Sequence, residues 1–188
     1  EGRWAVSGGY DGTIRLWSLE SGMVKLILMG HVGWVNAVVV TPDGRRAISS
    51  GSDGTLRLWN LDTGIEERTL TGEESKVLAL AVTPDGRRAV TGGNDGRLRV
   101  WNLDTSAIER TLTGHRGSVR AIAVTLQGQW AVSASDDWTL HVWNINTGEV
   151  ERTLNGHAGG VNAVGLTPDG QRAISGGDDG TLRLWNLG

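Results

Sequence analysis

The stretch DGTLRLWNL occupies residues 53–61, and the same nine letters return at residues 179–187. Looser copies begin at residues 11, 95 and 137. The tryptophans of these copies are spaced 42 residues apart, at Trp17, Trp59, Trp101, Trp143 and Trp185. A fixed period of roughly 20–50 residues is typical of repeat proteins. The spacing divides the chain into three full units and two partial ones, residues 1–30, 31–72, 73–114, 115–156 and 157–188.

Each full unit contains four short segments that predict β-strands, named a, b, c and d in chain order. In the first full unit these are VNAVVV, RRAISS, TLRLWNL and IEERTLTG, at residues 35–40, 45–50, 55–61 and 65–72. The Pro, Asp and Gly residues between them favour tight turns. Short strands with a turn about every ten residues predict an all-β fold. Antiparallel four-stranded units of about 40–45 residues are typical of β-propeller blades, so we expect one propeller domain.

With these features the whole chain resembles the WD-repeat β-propeller family, in its highly repetitive prokaryotic form. The resemblance rests on Gly-His pairs at residues 30–31, 114–115 and 156–157 and on the Trp that ends each strand c. The chain departs from the family pattern where Trp is followed by Asn or Ser, and where Glu73 replaces a His. Since residues 1–30 hold only strands b, c and d and residues 157–188 only a, b and c, the resemblance implies an incomplete ring. We expect the rest of a longer parent chain, or a second copy, to close it.

The resemblance also implies a buried hydrogen-bonded tetrad in each blade, made of His, Ser or Thr, Asp and Trp. The expected members are His31, Ser49, Asp53, Trp59, Thr91, Asp95, Trp101, His115, Ser133, Asp137, Trp143, His157, Ser175, Asp179 and Trp185. Such a set also looks like a Ser-His-Asp catalytic triad, but a nucleophile needs an exposed hydroxyl beside an oxyanion hole. Repetition in several blades favours a structural role, and we expect no enzymatic activity. The loop at residues 72–76, which has Glu73 in place of His, should be the loosest of its kind.

The bulk composition restricts the function classes. A net charge of −3 argues against a nucleic-acid partner, and no apolar run approaches the roughly 18 residues of a membrane helix. The chain has no Cys, and its four His residues lack metal-ligand spacing. We therefore expect no metal, no cofactor and no membrane partner, and a cytoplasmic location.

The repeats differ most at three positions in each unit: the third and fifth residues after the His, and the residue before the tetrad Asp. In the family these positions lie in loops around the top of the central channel, and we call them crown positions. Loops on a rigid scaffold often carry function, and Trp, Tyr and Arg are common in binding hot spots. With Trp138 in a turn that has Gly in other units, the candidate partner-binding residues are Tyr10, Trp34, Asn36, Lys76, Leu78, Asn94, Arg120, Asp136, Trp138, Asn162 and Asp178. The alternative to partner binding is that these residues differ through random sequence drift at solvent-exposed loop positions.

Three functions are compatible with this pattern. The first is a non-enzymatic scaffold that binds a protein or peptide on the top-face loops, for instance as the sensor part of a larger signalling protein. The second is a self-assembling structural propeller, and the third, less favoured, is a propeller hydrolase. On the opposite face Trp4 and Trp130 align with Arg residues of the other units, and we expect them to cover strand edges.

Overall fold

The computed structural model describes residues 2–72 and 75–188, and all of its regular structure within those ranges is β-strand. No helix in the described part of the chain is long and apolar enough to cross a membrane. The chain forms two compact units, residues 1–77 and 78–188. The all-β prediction is therefore confirmed.

The first unit contains one three-stranded and one four-stranded antiparallel sheet, each with its strands in sequence order. The three-stranded sheet consists of β1 Trp4–Gly8, β2 Thr13–Ser18 and β3 Val24–Met29. The four-stranded sheet consists of β4 Val35–Val40, β5 Arg46–Gly51, β6 Leu56–Asn60 and β7 Glu66–Leu70.

The second unit contains two four-stranded sheets and one three-stranded sheet of the same design. The first consists of β8 Val77–Val82, which begins at the last residue of the first unit, β9 Arg88–Gly93, β10 Leu98–Asn102 and β11 Ala107–Leu112. The second consists of β12 Val119–Val124, β13 Trp130–Ser135, β14 Thr139–Asn144 and β15 Val150–Asn155. The third consists of β16 Val161–Leu166, β17 Arg172–Gly177 and β18 Leu182–Asn186.

Strand c of residues 31–72 is one residue shorter at each end than the sequence predicts, because its flanking residues belong to turns. The N–H of Gly51 donates to the carbonyl of Thr55 at 3.1 Å, and the N–H of Leu61 donates to the carbonyl of Arg45 at 2.8 Å. Each sheet of four strands corresponds to one 42-residue unit, and we propose these units as the blades.

A β-bulge recurs where strand c pairs with strand d. In the first sheet Leu16 lies opposite Leu26 while Trp17 lies opposite Val24, which leaves Lys25 as the extra residue. The same register shift occurs beside Trp59, Trp101 and Trp143. The extra residues there are Glu67, Glu109 and Glu151. Because a bulge re-aims a side chain, these four residues leave the regular alternation of their strands.

The cores form where apolar side chains of neighbouring strands and sheets meet. In the first unit Ile14, Leu16 and Leu28 of one sheet pack with Ala47 and Trp59 of the next. In the second unit two further clusters form around Trp143 and around Val132. The Trp of strand c is thus fixed by packing at the same time as its indole N–H is brought to the tetrad.

Candidate functional site

The structure brings the four predicted tetrad side chains of residues 31–72 together. His31 Nε2 lies 2.7 Å from Ser49 Oγ, and His31 Nδ1 lies 3.0 Å from Asp53 Oδ2. The indole N–H of Trp59 donates to Ser49 Oγ at 2.8 Å. Because a carboxylate only accepts, Nδ1 carries the ring proton, and the Ser hydroxyl donates to Nε2. The set therefore satisfies its own hydrogen bonds.

Two further tetrads have the same geometry. The His Nε2 to Ser Oγ distance is 2.7 Å both at His115 and at His157. The His Nδ1 to Asp Oδ2 distance is 2.8 Å at both. Trp143 and Trp185 donate to the same Ser oxygens at 2.7 and 2.8 Å.

The access and bonding of the Ser hydroxyl argue against nucleophilic chemistry. Ser49 and Ser133 are 0% exposed. Each hydroxyl oxygen also accepts the indole N–H of a Trp. A triad nucleophile needs a free approach to its oxygen and donors for an oxyanion. The geometry is that of a closed hydrogen-bond network between strands.

The charge states of the tetrads follow from burial and hydrogen bonding. Burial lowers the pKa of His31 and of His115, and the neighbouring Asp opposes this in each case. Burial alone would raise the pKa of Asp53, but hydrogen bonds from the Val32 N–H and from Thr55 outweigh it and hold the pKa at about 2. At neutral pH the tetrads of His31 and His115 thus each contain a neutral ring and a carboxylate.

The sequence reasoning missed a fifth member of each network. The hydroxyl of Thr55 donates to Asp53 Oδ1 at 2.8 Å, and Thr139 and Thr181 bond their Asp in the same way at 2.6 and 2.7 Å. The signal was present in the repeats, since Thr stands two residues after the Asp wherever the His is present. In the unit with Glu73 that position is Arg97.

In residues 73–114, where the sequence has no His at this position, the tetrad Asp is bonded by an arginine instead. Trp101 donates to Thr91 Oγ1 at 3.1 Å, and Arg99 Nη2 lies 2.8 Å from Asp95 Oδ2. Arg99 is buried, whereas the equivalent Arg57 pairs with Glu66 of strand β7. The prediction that the loop at residues 72–76 is the loosest concerns Glu73 and Glu74, which lie outside the described residues.

His141 forms an unusual contact with one tetrad. Its ring stacks on that of His115 with centroids 3.9 Å apart and planes 13° apart. His141 is 7% exposed, and its buried Nδ1 finds no hydrogen-bond partner among the described residues. Burial, and to a smaller extent the neighbouring His115, lower the pKa of His141 to about 4, although Asp137 acts in the opposite direction. The stack therefore holds two neutral rings.

The crown positions of the first unit form an aromatic pair. The rings of Tyr10 and Trp34 meet edge to face with centroids 4.8 Å apart. Tyr10 is 80% exposed and Trp34 55% exposed, and Val32, two residues before Trp34, is also exposed. Asn36 is half-buried and donates to the carbonyl of Val77 at 2.8 Å, so this crown residue is held by backbone.

The crown positions of the second unit are charged instead. Arg120 bonds Asp136 through two parallel contacts of 2.8 and 2.7 Å, and the bond lowers the pKa of Asp136, so the pair stays ionised. Asn162 Nδ2 donates to Asp178 Oδ1 at 2.5 Å. A Cβ added to Gly160 would lie 2.9 Å from one oxygen of Asp178 and 3.4 Å from one of Asp136, so the two carboxylates flank this glycine.

The remaining predicted partner-binding residues are Lys76, Leu78, Asn94 and Trp138. Lys76 and Asn94 are exposed, and Leu78 is half-buried. Trp138 is 55% exposed and has φ 71°, in the region that favours glycine. Within residues 2–72 and 75–188, no three His, Asp or Glu side chains come close enough to hold a metal ion.

Comparison with known proteins identifies the repeat. The WD40 family model (WD domain, G-beta repeat) matches residues 1–18, 22–60, 64–102, 107–144 and 148–186. The WD repeat-containing protein pop1 of Schizosaccharomyces pombe is 46% identical over 37 residues, which are 20% of this chain and 5% of that protein. The small ribosomal subunit protein RACK1y of Oryza sativa subsp. japonica is 45% identical over 38 residues, 20% of this chain and 11% of that protein. The matched segments thus span only a small part of either relative. With five matched repeats that cover most of its length, the chain belongs to the WD40-repeat family.

Proposed function

We propose that this chain is a non-enzymatic scaffold that binds a protein or peptide through its crown residues, as part of a larger cytoplasmic signalling protein. WD40 repeats imply a protein–protein interaction role. The enclosed tetrad Ser hydroxyls support a scaffold rather than a hydrolase.

The observation that carries the proposal is the pair Tyr10 and Trp34. Two large aromatic side chains lie in contact and exposed on loops that the equivalent units fill with small or charged residues. Amphipathic aromatic rings of this kind supply much of the energy at protein interfaces. Neither ring is needed to fill a core, so their exposure favours recognition.

The charged group in the second unit offers a different kind of contact. Arg120 is already bonded to Asp136, so a partner meets a neutralised pair rather than a free cation. Charges of this kind at the rim of an interface contribute more to partner choice and association rate than to affinity. We therefore expect Tyr10 and Trp34 to supply affinity and Arg120 to supply selectivity.

The test is a selection of random displayed peptides against the chain, followed by calorimetry with the recovered peptides. Trp34→Ser introduces the residue that Ser118 provides in another unit, and Tyr10→Ser introduces that of Ser52. Each change should weaken binding by about 30-fold, the equivalent of about 2 kcal/mol for a hot-spot residue. Melting temperatures should stay unchanged.

The matched control is Trp130→Arg, which removes a tryptophan that is not a candidate partner-binding residue and introduces the residue found at Arg46 and Arg172. It should leave the affinity of these peptides unchanged. Unchanged affinity in both Ser variants, or a loss seen only on replacing Arg45, Arg46 or Arg88, would show that the crown is not the binding surface.

A further inference from the structure

The aromatic pair Tyr10 and Trp34 differs in kind from the rest of the crown. Tyr10 is the residue before a tetrad Asp, and Trp34 is the third residue after the His that follows. The same two positions carry, in the later repeats, Ser52 with Lys76, Asn94 with Ser118, and Asp136 with Gly160. Only the first couple is aromatic at both positions, so a partner meets a surface there that no other repeat offers.

Backbone hydrogen bonds hold the two loops that carry the pair. The N–H of Val35 donates to the carbonyl of Gly9 at 3.1 Å. This bond joins the residue after Trp34 to the residue before Tyr10. The carbonyl of Trp34 also accepts the N–H of Ser52 at 2.8 Å and its hydroxyl at 3.1 Å. Because both loops are fixed before a partner arrives, binding costs little ordering of their backbone.

The two rings form a corner rather than a flat platform. Their planes are 63° apart and their centroids are 4.8 Å apart. A compact apolar ring placed in this corner contacts both aromatic rings at once. The pyrrolidine ring of proline is of this kind, and proline-rich segments are known to dock on aromatic side chains.

The polar atoms of the pair are free to bond a partner. The indole N–H of Trp34 and the hydroxyl of Tyr10 form no hydrogen bond with any residue that the structure describes. In the tetrad, by contrast, the indole N–H of Trp59 donates to Ser49. An indole N–H donates only, and a tyrosine hydroxyl can donate as well as accept. The corner therefore matches a segment that presents acceptors.

The carboxylates next to the pair are already bonded. Asp11, which follows Tyr10, accepts a hydrogen bond from Arg15 Nη2 at 2.6 Å. Asp53 of the neighbouring tetrad accepts the N–H of Val32 at 2.9 Å. The aromatic pair itself carries no charge, and these two carboxylates are committed within the chain. An uncharged segment is thus the electrostatic match for this surface.

Resting on the function proposed above, we propose that Tyr10 and Trp34 bind an uncharged proline-rich segment in the polyproline II conformation. This conformation has no internal hydrogen bonds, so its carbonyl groups stay available, and a prolyl residue has no N–H. The Trp34 indole and the Tyr10 hydroxyl donate to two of these carbonyls, while one pyrrolidine ring fills the corner. Since the segment is extended before it binds, it loses less conformational entropy than a flexible peptide making the same contacts.

The experiment is calorimetry of the full chain with three uncharged peptides, each acetylated and amidated. The probe is decaproline. In the first control peptide every second proline is replaced by alanine, which restores N–H groups and flexibility. The second control is decaproline made of D-proline, which has the same composition and forms the mirror-image helix. We expect decaproline to bind about tenfold more tightly than either control. Added salt should leave its affinity unchanged, because no ion pair forms.

Variants that keep a ring test the two donors. Trp34→Phe and Tyr10→Phe each preserve an aromatic ring and delete one donor, so together they should weaken decaproline binding by about tenfold. Trp4→Phe is the matched control, because it makes the same change at an exposed tryptophan of the same unit that is not a crown residue. It should bind decaproline as the unaltered chain does. The melting temperatures should show that all three variants fold.

The proposal is overturned by the absence of decaproline binding, by equal binding of either control peptide, or by an affinity that falls with added salt. Undiminished affinity in the Trp34→Phe/Tyr10→Phe double variant, or an equal loss in Trp4→Phe, would also overturn it.

Failure of this proposal can be told apart from failure of the crown as a binding surface. Peptides selected at random that depend on Trp34 but contain no proline would keep the crown function and exclude the proline-rich class. If no selected peptide depends on Tyr10 or Trp34, the crown function itself is wrong.

Discussion

Replacing His141 with leucine should change how the stability of this chain depends on pH. The His141 ring is buried, stacked on His115, and has a pKa of about 4 in place of the ordinary 6.5. Because the folded-state pKa is depressed, the folded chain resists taking up the proton that the unfolded chain accepts. The stability due to the neutral ring is therefore complete above pH 6.5 and is lost as the pH falls toward 4.

The magnitude follows from the two pKa values. Between pH 7 and pH 5 the unfolded His141 becomes almost fully protonated and the folded one stays mostly neutral, which corresponds to about 2 kcal/mol in the free energy of unfolding. The tetrad carboxylates add little over this range. The pKa of Asp53 and of Asp137 is about 2 in the folded chain and 3.8 otherwise, so their effect appears only at lower pH.

The assay is urea unfolding of the unaltered chain and of His141→Leu at pH 7 and pH 5. From pH 7 to pH 5, we expect the free energy of unfolding to fall by about 2 kcal/mol more in the unaltered chain than in the variant. At pH 7 the replacement should change the free energy of unfolding little, since His141 Nδ1 has no hydrogen-bond partner among the described residues. An equal loss in both proteins would refute the reasoning, because it would assign the pH dependence to the remaining histidines.

Three further changes have clear expected outcomes. Asp137→Ala should lower the free energy of unfolding by about 1–3 kcal/mol, because it leaves buried donors unpaired, while Asp136→Ala at the exposed crown should change it far less. Trp138→Gly should raise the melting temperature, since φ 71° costs a non-glycine residue roughly 1 kcal/mol; a lower melting temperature would mean that the Trp138 side chain packs productively. Arg99→Leu should destabilise the chain by about 1–3 kcal/mol through the lost bond to Asp95, and stability unchanged in urea unfolding would contradict that.

The strands could be predicted from the sequence because their signals are local. A run such as VNAVVV followed by TPDG contains both the strand and the turn that ends it, and β4 has the predicted bounds of 35–40. The tetrads could be located because three copies repeat the same residues at the same spacing.

The contacts between exchanged residues could not be predicted in this way. Tyr10 and Trp34 are 24 positions apart, and only the packing of two sheets makes their rings meet. The pairing of Arg99 with Asp95 depends on which of several nearby groups a long side chain reaches, and the repeat copies differ in that choice. A strand pattern assigns each residue to a face, and the bulge at Lys25 breaks that assignment.

The recurring bulge has a practical meaning for protein engineering. It places one residue per blade outside the pleat, so that residue can be varied without disturbing the apolar alternation on which the sheet depends. A library limited to this residue and its partner on strand b would need only two codons per blade. Such a library would keep one backbone and vary the charge at these two positions. The chain already contains two such combinations, the Arg88–Glu109 ion pair and the Trp4–Lys25 cation–π contact.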